Sequence, residues 1–321
     1  MPPLLKLILR RIALGALTLF LVSVVIFAAT QALPGNPAMA ILGKQAADKA
    51  MYDALRVQLH LDRPRYVQYG IWLKGILTGN LGTSTASGVS VTSLIKSRVL
   101  NSGLLVLFAA IISIPVSILI GSLAALWRDS TFDLTTSVGS LALAALPEFV
   151  IGMLLIFFLA TNVLHVMPAV SRIAPNVSVW SQLNLLVLPV ATLVLAVAPY
   201  ISRILRASMI EVLESDYVQM ARLKGMPERT VLLRHALPNA VIPAIQVSAL
   251  QLAWLAGGVV VVETVFNYPG IGSGFVNAVA DRDIPVIQAI ALLIAGVYVV
   301  ANLAADILTI LVSPRLRTGL R

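Results

Sequence analysis

Six stretches of this chain run with hardly a charge, at about 12–30, 101–127, 134–162, 182–205, 240–262 and 286–312. An α-helix rises about 1.5 Å per residue, so roughly 20 apolar residues cross the ~30 Å hydrocarbon layer of a bilayer. The pattern therefore predicts an all-α, polytopic membrane protein with six transmembrane helices. Residues 31–100 differ in kind: they are polar and mixed in charge, with Gly79-Asn80-Leu81-Gly82 marking a turn. Tyr52 to Leu61 and Arg65 to Leu77 can form short helices there. This segment reads as a soluble extension at the outer face.

The spans carry breakers. Leu33-Pro34-Gly35-Asn36-Pro37 stops the first run, because proline cannot continue a helix. Pro115, Pro147, Pro189, Pro199 and Pro243 interrupt later ones. Backbone groups freed at such breaks are tolerated where neighbouring helices or a wet cavity satisfy them, which fits a pathway better than a passive anchor. The chain divides into a first membrane helix (1–33), an extracytoplasmic loop region (34–99), a membrane core (100–313) and a cytoplasmic tail (314–321).

Charge sets the orientation. Arg128 follows span 2, and Arg203, Arg206, Arg222, Lys224, Arg229 and Arg234 lie between spans 4 and 5. Arg315, Arg317 and Arg321 follow span 6, and Lys6, Arg10 and Arg11 precede span 1. Basic residues mark cytoplasmic ends, so both termini are expected inside. Lys96 and Arg98, close to span 2, are an exception on this reading. The first apolar run exceeds the roughly 7–15 residues of a signal core, so it is read as a retained span.

Composition agrees: 59% of residues are hydrophobic and 12% charged, against about 25% charged in soluble domains. With no cysteine, disulfides, thiolate metal sites and a cysteine nucleophile are excluded. His60, His165 and His235 lack metal-ligand spacing, and no metal site is expected. The net charge of +9 is assigned to cytoplasmic span ends facing anionic lipid rather than to nucleic acid.

One compact charged interruption falls at 216–243, DYVQMARLKGMPERTVLLRHALPNAVIP. Asp216 with Gln219 has capping-box spacing, Gly225 suits a left-handed helix stop, and Pro227 suits the first turn of a second helix. That helix is expected to run from Glu228 to Leu237 and end before Pro238. An amphipathic hairpin on the lipid surface competes with a knob that fits a groove on a cytoplasmic partner. A DNA-reading helix-turn-helix is remote in a membrane chain. A tight glycine turn between two short helices favours the knob.

Here the sequence resembles the permeases of ATP-binding-cassette importers, in the dipeptide, oligopeptide and nickel branch. Their motif is E-A-A, three residues, glycine, nine residues, a hydrophobe, any residue, leucine, proline. Ala221, Gly225, Leu237 and Pro238 match it, while Gln219, Met220 and His235 depart; Asp216-Tyr217, Ala221-Arg222, Lys224-Gly225 and His235-Ala236-Leu237 read like the peptide and nickel branch. The likeness extends over Leu61-Asp62-Arg63-Pro64, Gln68-Tyr69, Glu263, Phe266, Pro269-Gly270-Ile271-Gly272, Asp283-Ile284-Pro285, Asp306 and Pro314-Arg315. It implies a MetI-like core of a type I importer in a bacterial cell membrane, with residues 209–239 as the segment coupled to an ATPase. Ala221 and Gly225 would allow close backbone approach, and Arg222, Lys224 and Arg229 would face polar groups of the partner. The implied partners are a homologous second permease, one or two ATPase subunits that use ATP and magnesium, an extracytoplasmic substrate-binding protein, and lipid.

No phosphate-binding G-x-x-x-x-G-K-[ST] loop occurs; Gly43-Lys44 lacks its upstream glycine and following hydroxyl residue. The chain is therefore expected to bind no nucleotide and to be no enzyme. Charges within spans are costly, roughly 2.5–3.5 kcal/mol on insertion scales, so each needs a reason. Glu148, after Pro147, either faces the translocation path or accepts hydrogen bonds from a neighbouring helix. Gln246 and Gln251 share no clean stripe, and Gln251 is the pathway candidate. Glu263 and Asp306 lie near span ends, where a structural or gating role fits; snorkelling or a helix-end hydrogen bond would suffice. Trp72 and Trp254 read as packing or interfacial anchors. A self-sufficient secondary transporter would need ion-coupling carboxylates in several spans, and Glu148 alone qualifies. A scaffold without a path would not need the interrupted spans.

Overall fold

The computed structural model describes residues 3–32, 48–58, 61–174 and 179–312. His60, the 33–37 turn cluster and the tail with Pro314, Arg315, Arg317 and Arg321 lie outside these residues. Among the described residues the fold is helical, with one isolated bridge between Thr83 and Ser90 and no strand. In chain order α1 is Pro3–Ala32, α2 Lys49–Gln58, α3 Arg65–Leu77, α4 Val91–Leu126, α5 Thr131–Ala145 and α6 Glu148–Leu155. A π-helical turn, Ile156–Thr161, prolongs α6, and a 3-10 turn, Val179–Gln182, leads into α7, Leu183–Leu213. There follow α8 Asp216–Leu223, α9 Glu228–Thr230, a π-helical turn Val231–Ala236, α10 Leu237–Val265, α11 Ile271–Ala280 and α12 Ile284–Val312.

Among the described residues four helices are long and apolar enough to cross a membrane, or five if the broken pair α5–α6 is one span. This is a multi-pass helical membrane protein, with four to five such spans where the sequence pattern predicts six. Two span boundaries also differ. The second span starts at Val91 rather than near 101, with Ser90 in the cap position but making no side-chain cap. Val91 and Ile95, four apart, are fully or almost fully buried there, so a helical period underlies a stretch whose Lys96 and Arg98 make it look like loop. The third span is not continuous: α5 and α6 meet at 110°. Leu146 and Pro147 are both extended, with ψ 132° and 147°. Proline disfavours helical backbone in the residue before it and offers no N–H. Pro115, Pro189, Pro199 and Pro243, by contrast, sit inside unbroken helices. Of these five prolines, one breaks its span.

The axis of the bundle is α7, whose apolar window is 72% buried, against 11% for α1. Its most extensive partner is α4. Small residues make that contact close: Ser113, Ser117 and Gly121, four apart, are buried along one face of α4. The Ser117 hydroxyl donates to the Ala198 carbonyl at 3.2 Å, and a Cβ on Gly121 would lie 2.6 Å from the Ser202 carbonyl oxygen. In membranes such small-residue faces replace the hydrophobic effect as the source of association. A second apolar cluster unites Val91 and Ile95 of α4 with Ile271 and Ala278 of α11 and Val286, Ile287 and Ile290 of α12.

Helices α1 and α12 run antiparallel. Arg11 pairs with Asp306 at 3.0 Å, and the Gln288 amide donates to the Thr30 hydroxyl at 2.7 Å. The start of α1 and the end of α12 therefore lie at one end of the bundle. Trp72 packs with Phe27 and Tyr69, at ring separations of 5.7 and 5.9 Å, which ties α3 onto α1.

Candidate functional site

The charged interruption folds as an elbow. Helix α8 begins after Ser215, and its acidic first residue, Asp216, sits where the positive end of the helix dipole favours a carboxylate. The expected capping box does not form: Ser215 makes no side-chain cap, and the Gln219 amide donates to the Glu214 carbonyl at 3.1 Å. Gly225, at φ +73°, ends the helix. Its N–H donates to the Arg222 carbonyl at 2.9 Å, and Met226 N–H donates to the Ala221 carbonyl at 3.3 Å. That bond pair is a Schellman stop, which needs a residue at ease in the left-handed region.

The second half of the elbow differs from expectation. Pro227 does precede α9, but the helix does not end before Pro238. Three α-helical residues pass into the π-turn and on into α10, with Pro238 in its first turn. A proline ring ordinarily collides with the carbonyl four residues back, and a widened π-turn relieves that clash. The Asn239 side-chain amide donates to the His235 carbonyl at 2.8 Å. The elbow thus continues into α10 without a hinge loop.

Ala221 is buried against Val218 and Val231, so its methyl serves the elbow's own packing. A Cβ on Gly225 would meet nothing within 4 Å, so the turn's backbone conformation, not crowding, demands the glycine within this chain. Arg222 does not face outward alone. Its Nη2 and Nε donate to the Glu228 carboxylate at 2.6 and 3.1 Å. The Arg222 hydrogen bond holds the Glu228 carboxyl below the usual carboxylate range, and the same bond raises Arg222. Lys224 and Arg229 are exposed, and His235 and Leu237 are half-buried. Tyr217, Met220 and Leu223 form an exposed apolar ridge on α8, with Leu223 81% exposed. Sequence reading passed over Leu223; its signal is the i, i+3, i+6 spacing.

At the other end of α10 lies a buried node. Glu263 is fully buried. It accepts hydrogen bonds from the Ser102 hydroxyl, from Gly272 N–H at 2.7 Å and from Ser273 N–H at 3.1 Å. Ser102 in turn accepts from Ile271 N–H at 2.8 Å. From α4, the Asn101 amide donates to the Pro269 carbonyl at 2.9 Å and the Arg98 guanidinium to the Gly270 carbonyl at 3.1 Å. Residues 98, 101 and 102 share one helical face. Tyr268 closes the ring, its hydroxyl donating to the Asn101 carbonyl at 2.8 Å. A Cβ on Gly270 would collide with the Glu263 carboxylate, and one on Gly272 with Val260. Arg98 therefore stands where it does to hold this loop. Glu263 makes helix-end hydrogen bonds and does not snorkel.

The remaining candidates are scattered. Glu148 is half-buried in the first turn of α6, directly after the 110° break. Among the described residues it makes no hydrogen bond or ion pair. Gln251 and Gln246 are half-buried in α10. Asp306 holds Arg11 rather than snorkelling. Trp254 is exposed on α10. No group of three or more His, Asp or Glu residues is placed to hold a metal among the described residues.

Comparison with known proteins gives the family. The family model of the binding-protein-dependent transport system inner membrane component matches residues 117–318, and the N-terminal model of such membrane components matches residues 4–109. The chain is 38% identical to a probable peptide ABC transporter permease protein of Sinorhizobium fredii, over 97% of this chain and 98% of that one. It is 37% identical to a glutathione transport system permease protein of Escherichia coli, over 94% and 95%. A putative peptide transport system permease protein of Brucella abortus is 36% identical over 97% and 98%. An elbow grafted without a break onto a long helix, within a multi-pass bundle, suits such a protein. The chain belongs to the family of binding-protein-dependent transport system inner membrane components, and is a permease subunit of an ABC importer.

Proposed function

We propose that this subunit forms, with a homologous second permease, the path for short peptides, and that cytoplasmic ATPase subunits drive it through the elbow. The observation that carries the reading is the elbow: a compact helix pair whose exposed Tyr217, Met220 and Leu223 form an apolar ridge. An apolar ridge on a charged cytoplasmic knob suits a cleft in a partner protein, because burying apolar surface drives association. The related proteins named for peptide and glutathione transport support the substrate class, since glutathione is itself a small peptide. ATP and magnesium belong to the partner subunits on this reading. An extracytoplasmic binding protein supplies the substrate.

The topology we propose has six spans: α1, α4, the broken pair α5–α6, α7, α10 and α12. Both termini and the elbow lie inside; the antiparallel α1–α12 pair supports placing the two ends together. Glu148, half-buried beside the break, and Gln251 face the path. An experiment tests the whole: express the chain with its second permease, ATPases and binding protein, and measure ATP-driven uptake of labelled dipeptides. A Leu223→Asp variant that inserts normally but neither co-purifies with the ATPases nor imports is the expected result. Unchanged co-purification and uptake would remove the elbow from the coupling path.

A further inference from the structure

The two ends of α10 hold very different structures. One end is continuous with the elbow through the π-turn, and the other carries the buried Glu263. Around Glu263 three segments distant in sequence are bonded: α4 through Arg98, Asn101 and Ser102, α10 through Glu263, and the start of α11 through Ile271, Gly272 and Ser273. The contact is backbone-close, since Gly270 and Gly272 have no room for a methyl group. Close-packed, fully hydrogen-bonded interiors do not deform continuously and transmit displacement.

Compliance lies elsewhere. At 146–147 the chain breaks by 110°, with Leu146 and Pro147 extended ahead of α6, and a break at proline leaves helical hydrogen bonds unmade, so the chain yields there. From this contrast, and resting on the reading of the elbow as the ATPase contact, we propose that Glu263 is the positioning residue of a rigid clamp. It fastens the far end of α10 to α4 and α11, so that displacement of the elbow carries all three as one body while α6 shifts against them. The carboxylate acts through the backbone N–H groups of Gly272 and Ser273 and through the Ser102 hydroxyl, and touches no substrate.

The test uses the whole transporter in lipid nanodiscs, with second permease, ATPases and binding protein. Amide exchange is followed over residues 268–276, nucleotide-free and ATP-trapped, beside dipeptide import and ATP hydrolysis. For the wild type, protection at Gly272 and Ser273 should stay within about 2-fold between the two states. Glu263→Gln should raise exchange there about 10-fold and cut import about 10-fold, while ATP hydrolysis stays within about 2-fold. That split of import from hydrolysis is what a merely structural residue would not give. Loss of protection in the ATP-trapped wild type would overturn the proposal, since the clamp would then open as a gate. So would an equal fall of import and hydrolysis in Glu263→Gln, or normal import by it.

Should Glu263→Gln not assemble, Ser102→Ala removes one bond to the carboxylate and is expected to give the same split at smaller size; normal coupling in it would count against the clamp. A wild-type assembly without ATP-driven import would instead refute the importer reading, before any substitution is made.

Discussion

Arg222 and Glu228 face each other across the Gly225 turn, with two guanidinium N–H groups on the two carboxylate oxygens at 2.6 and 3.1 Å. A planar fork on a carboxylate fixes direction as well as distance. Both side chains are about half exposed, at 40% and 54%. The pair therefore contributes only about 0.5 kcal/mol after solvent screening. Glu228 is held below the usual carboxylate range, so its contribution is complete above the ordinary value and is lost as pH falls through the lowered one. Proteolysis of the elbow in detergent should be flat from neutral pH down to about 5 and accelerate only below about 4. In Glu228→Gln that acid-side rise should be smaller. A rise already at pH 6 would mean another group controls the elbow.

Gly225 offers a sharper separation of causes. Its φ of +73° is the constraint, because the space beside it is open. Asparagine tolerates the left-handed region better than other non-glycine residues. Gly225→Asn should leave import within about 2-fold of wild type, whereas Gly225→Val should destabilise the elbow by about 1–2 kcal/mol. Gly225→Trp adds bulk on the partner side and should uncouple ATP hydrolysis from uptake in a protein that still inserts. Normal uptake by Gly225→Trp at wild-type expression would place the partner elsewhere.

Asp133 and Arg206 tie the start of α5 to α7 through bonds of 2.5 and 2.6 Å. Asp133 is nearly buried and Arg206 partly so, at 6% and 28% side-chain exposure. Removing one partner strands the other charge, so Asp133→Asn should cost about 2–4 kcal/mol. A thermal-unfolding series in detergent, completed as a double-mutant cycle with Arg206→Gln, should show a coupling energy above about 1 kcal/mol. Additive single effects would show that the pair does not act as one.

Glu148 is half-buried beside the break and has no partner among the described residues. If it meets the substrate amine, Glu148→Gln should lower import of unmodified dipeptides about 10-fold and leave N-acetylated ones within about 2-fold. Equal import of both forms by the variant would assign Glu148 no contact with the amine. The measurement is initial uptake rate at matched expression.

The elbow's residues were readable in sequence because its signals are local. Pro227 and Gly225 act through their own backbone preferences, and each does what its residue type predicts. The capping box failed for a local reason too: Ser215 precedes Asp216 and takes the cap position, one residue off the expected register. The helix passes through Pro238, against the rule that proline stops a helix, because the π-turn Val231–Ala236 widens the backbone just before it. The break at Pro147 and the continuity at Pro115, Pro189, Pro199 and Pro243 carry the same residue type to opposite outcomes, so residue type alone does not set a break.

The node around Glu263 shows the other limit. Arg98 looked like a misplaced charge, and Ser102 carried no signal at all, because their partners lie more than 160 residues away. From the chain alone came the helical class, the membrane location, the charged elbow and the family resemblance, all set by apolar run length, local backbone preference and motif order. Only the tertiary structure decided where the spans break, that Arg222 serves Glu228, and that one buried carboxylate at the end of α10 joins the start of α11 to a turn within α4. The buried node depends on hydrogen bonds between distant segments in a medium with no water to substitute, whereas Arg222 meets Glu228 because the Gly225 turn folds two short helices together; neither contact is written in a local residue pattern.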